Sequence, residues 1–225
     1  LSDCRAFAAS GTSGSALYAA IAGISVDHST DVSSGVCLIP WDKVPGCYQK
    51  AVFEGTDAGL MSEFHQMRAK PGAAIRIDMP VRQVLHSSYP DLTEAEQKKR
   101  GDDMTAKLET AQDVVRCVAV QIAKAVAQIG SWVFVENRVA REIAATGYGY
   151  GSNLFDRTIF HASHNPQLIS GSVIVALLRN LGNFPKNDLR VLRIAIDRIS
   201  SAFRELQIVD KAIDLGIALE ALLLH

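Results

Sequence analysis

The chain has 225 residues, of which 48% are apolar and 21% charged, and 23 basic against 24 acidic side chains give a net charge of −1. These fractions are typical of globular proteins and exclude a chain that is disordered throughout. A net charge near zero argues against a protein that coats nucleic acid through a uniformly basic surface. No stretch reaches the roughly 18 consecutive apolar residues of a membrane-spanning helix, so we expect no membrane partner.

The four cysteines, Cys4, Cys37, Cys47 and Cys117, are far apart in the sequence and lack the short spacing of a metal or redox motif. The chain also starts without the pattern of a signal peptide. These features predict reduced thiols in a cytoplasmic protein, and we expect neither a metal nor another cofactor.

Residues 1–90 predict a small mixed α/β region. Apolar runs at 36–39 and 74–77 are typical of short strands, and frequent prolines argue against long helices. Residues 16–26 fit either a helix or a buried strand. The glycine- and serine-rich turn at 10–15 lacks the Gly-Lys-Ser/Thr ending of a phosphate-binding loop, so we interpret it as an ordinary loop.

Residues 91–225 predict a mainly helical region. Thr93 and Glu96 have the spacing of a capping box, which starts a helix that we expect to end near Gly101. Apolar residues at three- and four-residue steps then predict a helix from 108 to 129.

The segment after this helix is ambiguous. Gly130 is predicted to end the helix, and residues 132–135 fit either a short strand or the start of another helix. Arginines are frequent from here on. They are compatible with the solvent-facing sides of helices and with a surface that contacts the phosphates of RNA.

Three more helices are predicted, at 168–181, 188–204 and 209–224. The second is amphipathic and can be capped by Asn187 or Asp188. The third is apolar nearly all round after its first turn, so we expect its central part to be buried on several sides. Two such helices with a short connection are typical of a helix bundle, and the predicted fold class is α+β.

The last predicted helix carries a sequence pattern of its own. Ile213-Asp214, Ile217-Ala218-Leu219-Glu220 and Leu222 form the sequence I-D-x-x-I-A-L-E-x-L. This pattern resembles the opening helix of the Apea-like branch of the HEPN superfamily. The resemblance implies that the helical region is the start of a HEPN-like bundle.

HEPN proteins of this kind are typically dimeric, and many are metal-independent ribonucleases of bacterial phage-defence, toxin and stress systems. Their catalytic signature is an Arg, four to six residues and a His. The His activates a 2′-hydroxyl and the Arg stabilises charge on the phosphorane. In the family this motif follows the I-A-L-E helix. The chain begins at Leu1 and ends at His225 without a helix stop signal, so we expect a C-terminally incomplete bundle from a longer protein.

Three residues are weak candidates for catalysis. Arg157 and His164 have the family's spacing, with six residues between them, but they precede the I-A-L-E helix, which favours coincidence. Glu220 is acidic within an apolar segment, where an unpaired charge would be costly to bury. It either pairs with Arg198 or Arg204 of the preceding helix or orients a catalytic Arg or His across the bundle.

These observations leave more than one function open. The first hypothesis is a HEPN-type ribonuclease with RNA as its substrate and a regulatory N-terminal region. The alternative is a non-catalytic helical module that forms a homodimer or binds a partner protein through its C-terminal helix. A third reading, a small-molecule site at the glycine-tyrosine loop 147–151, has no convergent polar residues to support it.

Overall fold

The computed structural model describes residue 5 and residues 12–54, 71–83, 93–122, 126–137, 166–205 and 207–224. In these ranges the strands are β1 (Thr12–Ala22), β2 (Ile24–Val26), β3 (Thr30–Ser33), β4 (Val36–Pro40), β5 (Pro71–Gln83), β6 (Ala127–Val135) and β7 (Gln167–Ile169). The α-helices are α1 (Tyr48–Glu54), α2 (Glu94–Ile122), α3 (Gly171–Gly182), α4 (Lys186–Arg204) and α5 (Ile208–Leu223), and a 3-10 turn spans Trp41–Lys43. The predicted α+β class with a helical C-terminal part is confirmed.

The main sheet has the strand order β3-β4-β5-β1-β6, and all of these neighbours are antiparallel. In β1, Tyr18 lies opposite Arg76 of β5 on one side and Trp132 of β6 on the other. Short parallel pairings add β2 beside β5 and β7 beside β2. The undecided segments 16–26 and 132–135 therefore belong to strands, and the sheet joins both predicted regions of the chain.

The face of the sheet that α2 covers holds the larger apolar layer. Neighbouring residues of a strand point to opposite faces of a sheet. Ile21 of β1 and Ile75 of β5 both point to the face that α2 covers. Both are fully buried and belong to one cluster with Val114 and Val118 of α2.

The opposite face carries an aromatic cluster. Tyr18 stacks on Trp132 with ring centroids 5.9 Å apart, and Phe134 meets Tyr18 edge-on at 6.1 Å. Trp41 of the 3-10 turn and Phe53 of α1 pack on Trp132 at 6.1 and 5.7 Å. Such pairs contribute about 0.5–1.5 kcal/mol each beyond area burial, so they hold these short elements against the sheet.

The predicted capping box at the start of α2 is confirmed. The Thr93 amide donates to Glu96 Oε2 at 2.9 Å, and the Glu96 amide donates to Thr93 Oγ1 at 3.4 Å. These bonds satisfy amides that a helix N-terminus leaves without intrahelical acceptors. The hydrogen bonds from Thr93 also lower the pKa of the Glu96 carboxyl.

The helix ends predicted at Gly101 and Gly130 are wrong. α2 continues through Gly101 to Ile122, and Gly130 lies inside β6. A glycine inside a helix costs only about 1 kcal/mol relative to alanine, which the cap and the packing of α2 outweigh. Residues 127–135 form a strand because they pair with β1. This pairing is a long-range contact, which the local periodicity of the sequence cannot reveal.

The three C-terminal helices form close to the predicted ranges. α3 starts at Gly171 because residues 167–169 pair with β2 as a strand. The N-cap position of α4 is Pro185, so the predicted cap at Asn187 or Asp188 is wrong. The fixed φ of proline is compatible with the entry into a helix.

Two glycines are required by their surroundings. Gly35 closes the turn between β3 and β4 with a φ of +72°, a conformation that other residues rarely adopt. At Gly72 of β5, a Cβ would overlap the carbonyl oxygen of Ile24, so this glycine allows β2 to approach.

An ion-pair network joins α2 to α4. The buried Asp113 of α2 accepts hydrogen bonds from Arg193 Nε at 2.9 Å and from Arg193 Nη2 at 2.5 Å. Arg116 donates to Asp113 at 2.9 Å and makes two bonds of 2.8 Å to Asp197 of α4. Paired charge-assisted bonds of this kind are geometrically specific, so the network fixes how α4 lies on α2.

We expect Asp113→Ala to lower the free energy of unfolding by about 3 kcal/mol, because it removes the buried carboxylate that accepts two hydrogen bonds from Arg193 and one from Arg116. Asp197→Ala is the matched control. Its side chain is 52% exposed, so we expect a loss of about 1 kcal/mol or less. Urea denaturation of both variants measures the difference, and equal losses would contradict a central role for Asp113.

Candidate functional site

The helix pair α4–α5 contains the residues of the HEPN-like pattern. α4 is amphipathic and buries Ala195, Ile196 and Ala202, whereas its charged residues lie mostly at the surface. α5 packs against α4 after a short connection. The pair therefore attaches to the rest of the molecule through α4.

The inward side of α5 carries a charge. Asp214 is buried, and its Oδ1 accepts a hydrogen bond from Arg198 Nη1 of α4 at 3.1 Å. Ala218, one turn further along, is the other buried residue of the helix. The small alanine allows close contact with α4 there, and the ion pair fixes the rotation of α5.

Glu220 lies on a different side of α5 and is exposed. Six residues separate it from Asp214, which is a rotation of about 240° around the helix. Arg198 donates to Asp214, and Arg204 Nη2 donates to Ser201 Oγ at 3.2 Å. Asp214 therefore takes the position that the sequence predicted for Glu220 as the acceptor of Arg198.

The expected burial of α5 on several sides is wrong. One side faces α4, and most of the large apolar side chains lie on the exposed remainder of the helix surface. Ile208 is 83% exposed, Leu219 is 58% exposed and Leu223 is 77% exposed. The sequence pattern indicated an apolar helix correctly, but one neighbouring helix can bury only one side of it.

Five residues of this exposed surface form a regular line, which we call the outer seam. They follow each other at steps of four, three, four and three residues, and all are exposed: Ile208, Ala212, Leu215, Leu219 and Leu222. This alternation is the spacing of a helix that packs along another helix. The outer seam is therefore suited to a helical partner.

The cleft between α4 and α5 has a different chemical character. It has a volume of about 360 Å³, and its lining includes Arg198, Arg204, Glu205, Asp210 and Asp214. Carboxylates outnumber guanidinium groups, and Arg198 already donates to a carboxylate. The cleft lacks the excess of positive charge that phosphate binding needs.

A second cleft, of about 460 Å³, lies at the β3–β4 hairpin and includes Cys37 and Arg76. Burial and a hydrogen bond with Asp31 raise the pKa of the Cys37 thiol to about 11. Burial and the charge of Asp113 raise the pKa of Cys117 to about 11 as well. Because the thiolate is the nucleophilic form, neither cysteine is activated for covalent catalysis.

The remaining predicted site residues cannot be placed. Arg157, His164 and the loop 147–151 lie outside the described residues. Among the described residues, no group of three or more His, Cys, Asp or Glu could hold a metal ion. In the same ranges, no helix is long and apolar enough to cross a membrane.

Comparison of the chain with protein-family models, with curated proteins and with solved structures finds no match. The resemblance to the HEPN superfamily therefore rests on the sequence pattern at residues 213–222.

Two features of the helical part were missed by the sequence reasoning. The exposed outer seam was interpreted as a buried surface, although its four-three spacing was visible in the sequence. The Asp113 network was not predicted either. Its signal was an acidic residue directly before Val114 and Val115, inside the apolar stripe of a helix.

We expect Cys37 to react with iodoacetamide at pH 8 about a hundredfold more slowly than a cysteine of unshifted pKa, because its pKa is about two units higher. The same protein in urea provides the unshifted reference, and mass spectrometry of the alkylated peptide gives the rate. The native rate should continue to rise with pH up to about 11. A reaction rate in the native protein equal to the rate in urea would contradict the raised pKa of Cys37.

Proposed function

We propose that this chain is a HEPN-type helical association module that self-associates through the outer side of α5. The observation that carries the proposal is the exposure of the outer seam. Its large residues point away from α4, while the charged Asp214 points towards it. Large contiguous apolar patches are rare on the surfaces of monomers and mark interaction sites.

The energy available from the outer seam is of the same order as the cost of association. Full burial of a leucine or isoleucine side chain contributes about 1.5–3 kcal/mol, and association costs roughly 4–15 kcal/mol in lost translational and rotational freedom. The outer seam has four large side chains on each chain, at Ile208, Leu215, Leu219 and Leu222. They are between 45% and 83% exposed, so two seams in contact can still bury about half of their surface or more.

We expect Leu219→Asp to abolish self-association, because a charge would then be buried in an apolar interface. Val120→Asp is the matched control, because Val120 is also apolar, helical and 47% exposed, but lies on α2. Sedimentation velocity over a range of concentrations measures the result. A wild-type chain that stays at 24.3 kDa, or a Leu219→Asp variant that still associates, would contradict the proposal.

The ribonuclease activity implied by the HEPN resemblance is the second proposal. The observation that favours it is the I-D-x-x-I-A-L-E-x-L pattern at residues 213–222. In this reading the protein acts in the bacterial cytoplasm, in phage defence or as a toxin, and RNA is its substrate. Glu220 is then a residue that orients an Arg or His of the bundle.

An assay of RNA cleavage in EDTA separates the two proposals. If Arg157 and His164 are catalytic, Arg157→Ala and His164→Ala should abolish cleavage by the purified chain. Arg179→Ala on the exposed side of α3 is the control and should leave cleavage unchanged. Full cleavage in the first two variants would contradict their catalytic role, and a wild-type chain without cleavage would contradict ribonuclease activity of this chain.

A further inference from the structure

We infer that the cleft at the β3–β4 hairpin binds a neutral ligand with adjacent hydroxyl groups, such as a monosaccharide. This cleft, which we call the hairpin cleft, has a volume of about 460 Å³, and small-molecule sites typically measure about 300–1,000 Å³. Its lining includes six side chains with polar atoms: Asp31, Ser33, Ser34, Cys37, Arg76 and Asp78. No residue of α5 belongs to this lining, so the site is separate from the proposed association surface.

The sheet brings the polar side chains of the hairpin cleft to one face. Cys37 of β4 lies opposite Asp31 of β3 on one side and opposite Arg76 of β5 on the other. Directly opposite residues of neighbouring strands share a face. Asp78 points to this face as well, because it follows Arg76 by two residues. Two carboxylates, a thiol and a guanidinium group are therefore collected on the surface of three adjacent strands.

Backbone contacts fix the walls of the hairpin cleft. The amide of Asp78 donates to the carbonyl oxygen of Gly35 at 2.8 Å, which holds the hairpin turn against β5. Lys107 Nζ of α2 donates to the carbonyl oxygen of Asp78 at 3.2 Å. A ligand therefore meets groups that are already positioned, and less ordering opposes its binding.

The charges around the hairpin cleft favour a neutral ligand. Arg76 Nη2 lies 2.9 Å from Asp78 Oδ1 and 3.7 Å from Glu136 Oε1, so these carboxylates would repel an anion that approaches the guanidinium group. Arg76 is itself 39% exposed and would repel an organic cation. Among the described residues, no group of three or more His, Cys, Asp or Glu could hold a metal ion.

The hydrogen-bonding groups of the hairpin cleft favour hydroxyl groups on the ligand. A carboxylate only accepts hydrogen bonds and a guanidinium group only donates them. A hydroxyl group does both, so two adjacent hydroxyl groups can donate to Asp31 and accept from Arg76 at the same time. Asp31 already accepts a hydrogen bond from the Cys37 thiol, but a carboxylate has about four acceptor positions. Bonds to charged groups are the stronger ones, which favours a diol over an apolar molecule.

The alkylation of Cys37 by iodoacetamide provides a local test, because a ligand in the hairpin cleft covers this thiol. The chain is titrated with D-glucose, D-galactose, D-mannose and D-ribose, and mass spectrometry follows the alkylation of each cysteine. Cys47 is partly buried and does not line the cleft, so it is the internal control. cis-1,2-Cyclohexanediol and cyclohexanol differ by one hydroxyl group and test the need for adjacent hydroxyl groups. Inorganic phosphate and tetramethylammonium test for charged ligands.

We expect the diol and at least one sugar to slow the alkylation of Cys37, whereas the alkylation of Cys47 keeps its rate. Asp31→Asn should raise the concentration that gives half-protection about tenfold, because it removes a hydrogen bond to a charged group. Asp27→Asn is the matched control, because Asp27 is also exposed but does not line the cleft. It should leave this concentration unchanged.

The comparison of sugars identifies the source of the hydroxyl groups. Stronger protection by D-ribose than by the hexoses would assign the site to a nucleoside, and the reverse would assign it to a carbohydrate. Four results would overturn the inferred site: no protection by any hydroxylated compound, equal protection by cyclohexanol and the diol, protection by phosphate or tetramethylammonium alone, or an unchanged half-protecting concentration in Asp31→Asn. None of them bears on self-association, which sedimentation measures separately.

Discussion

The pairing of β1 with strands on both of its sides is the constraint on which the rest of the structure depends. β5 and β6 are hydrogen-bonded to its two edges, and they come from chain segments on either side of α2. This pairing places α2 across one face of the sheet, where Val114 and Val118 complete the apolar layer. The Asp113 network on α2 then positions α4, and α4 carries α5.

This order of attachment explains why α5 is exposed. Residues of the sheet and α2 are buried because other elements pack on them from several directions. In contrast, α5 packs against α4 on one side. The Asp214–Arg198 ion pair occupies part of that contact, so the apolar residues of α5 face outwards. The surface that we propose for association is therefore a consequence of the fold. It is the last apolar face in a series of layers, and another helix can cover it.

Local signals in the sequence predicted local structure well. The Thr93–Glu96 capping box, the strands at 36–39 and 74–77 and the three C-terminal helices depend on neighbouring residues, and the structure contains all of them. The continuation of α2 through Gly101 was not predicted, and residues 132–135 of β6 were left open between a strand and a helix, because long-range pairing and packing outweigh local preference there. The apolar character of α5 was predicted, but the number of its neighbours is not encoded in its periodicity.

The buried charge on α5 gives the association proposal its physical basis. A helix that is apolar nearly all round has little preference for which side faces its neighbour, because each rotation buries a similar apolar area. Asp214 removes this ambiguity. Rotating it away from Arg198 would break the hydrogen bond between the two side chains, so the ion pair favours the observed rotation. The ion pair thereby holds Leu215 and Leu219 in a fixed outward position. A stable interface requires residues to be positioned in this way before the partner arrives, because less ordering then opposes binding.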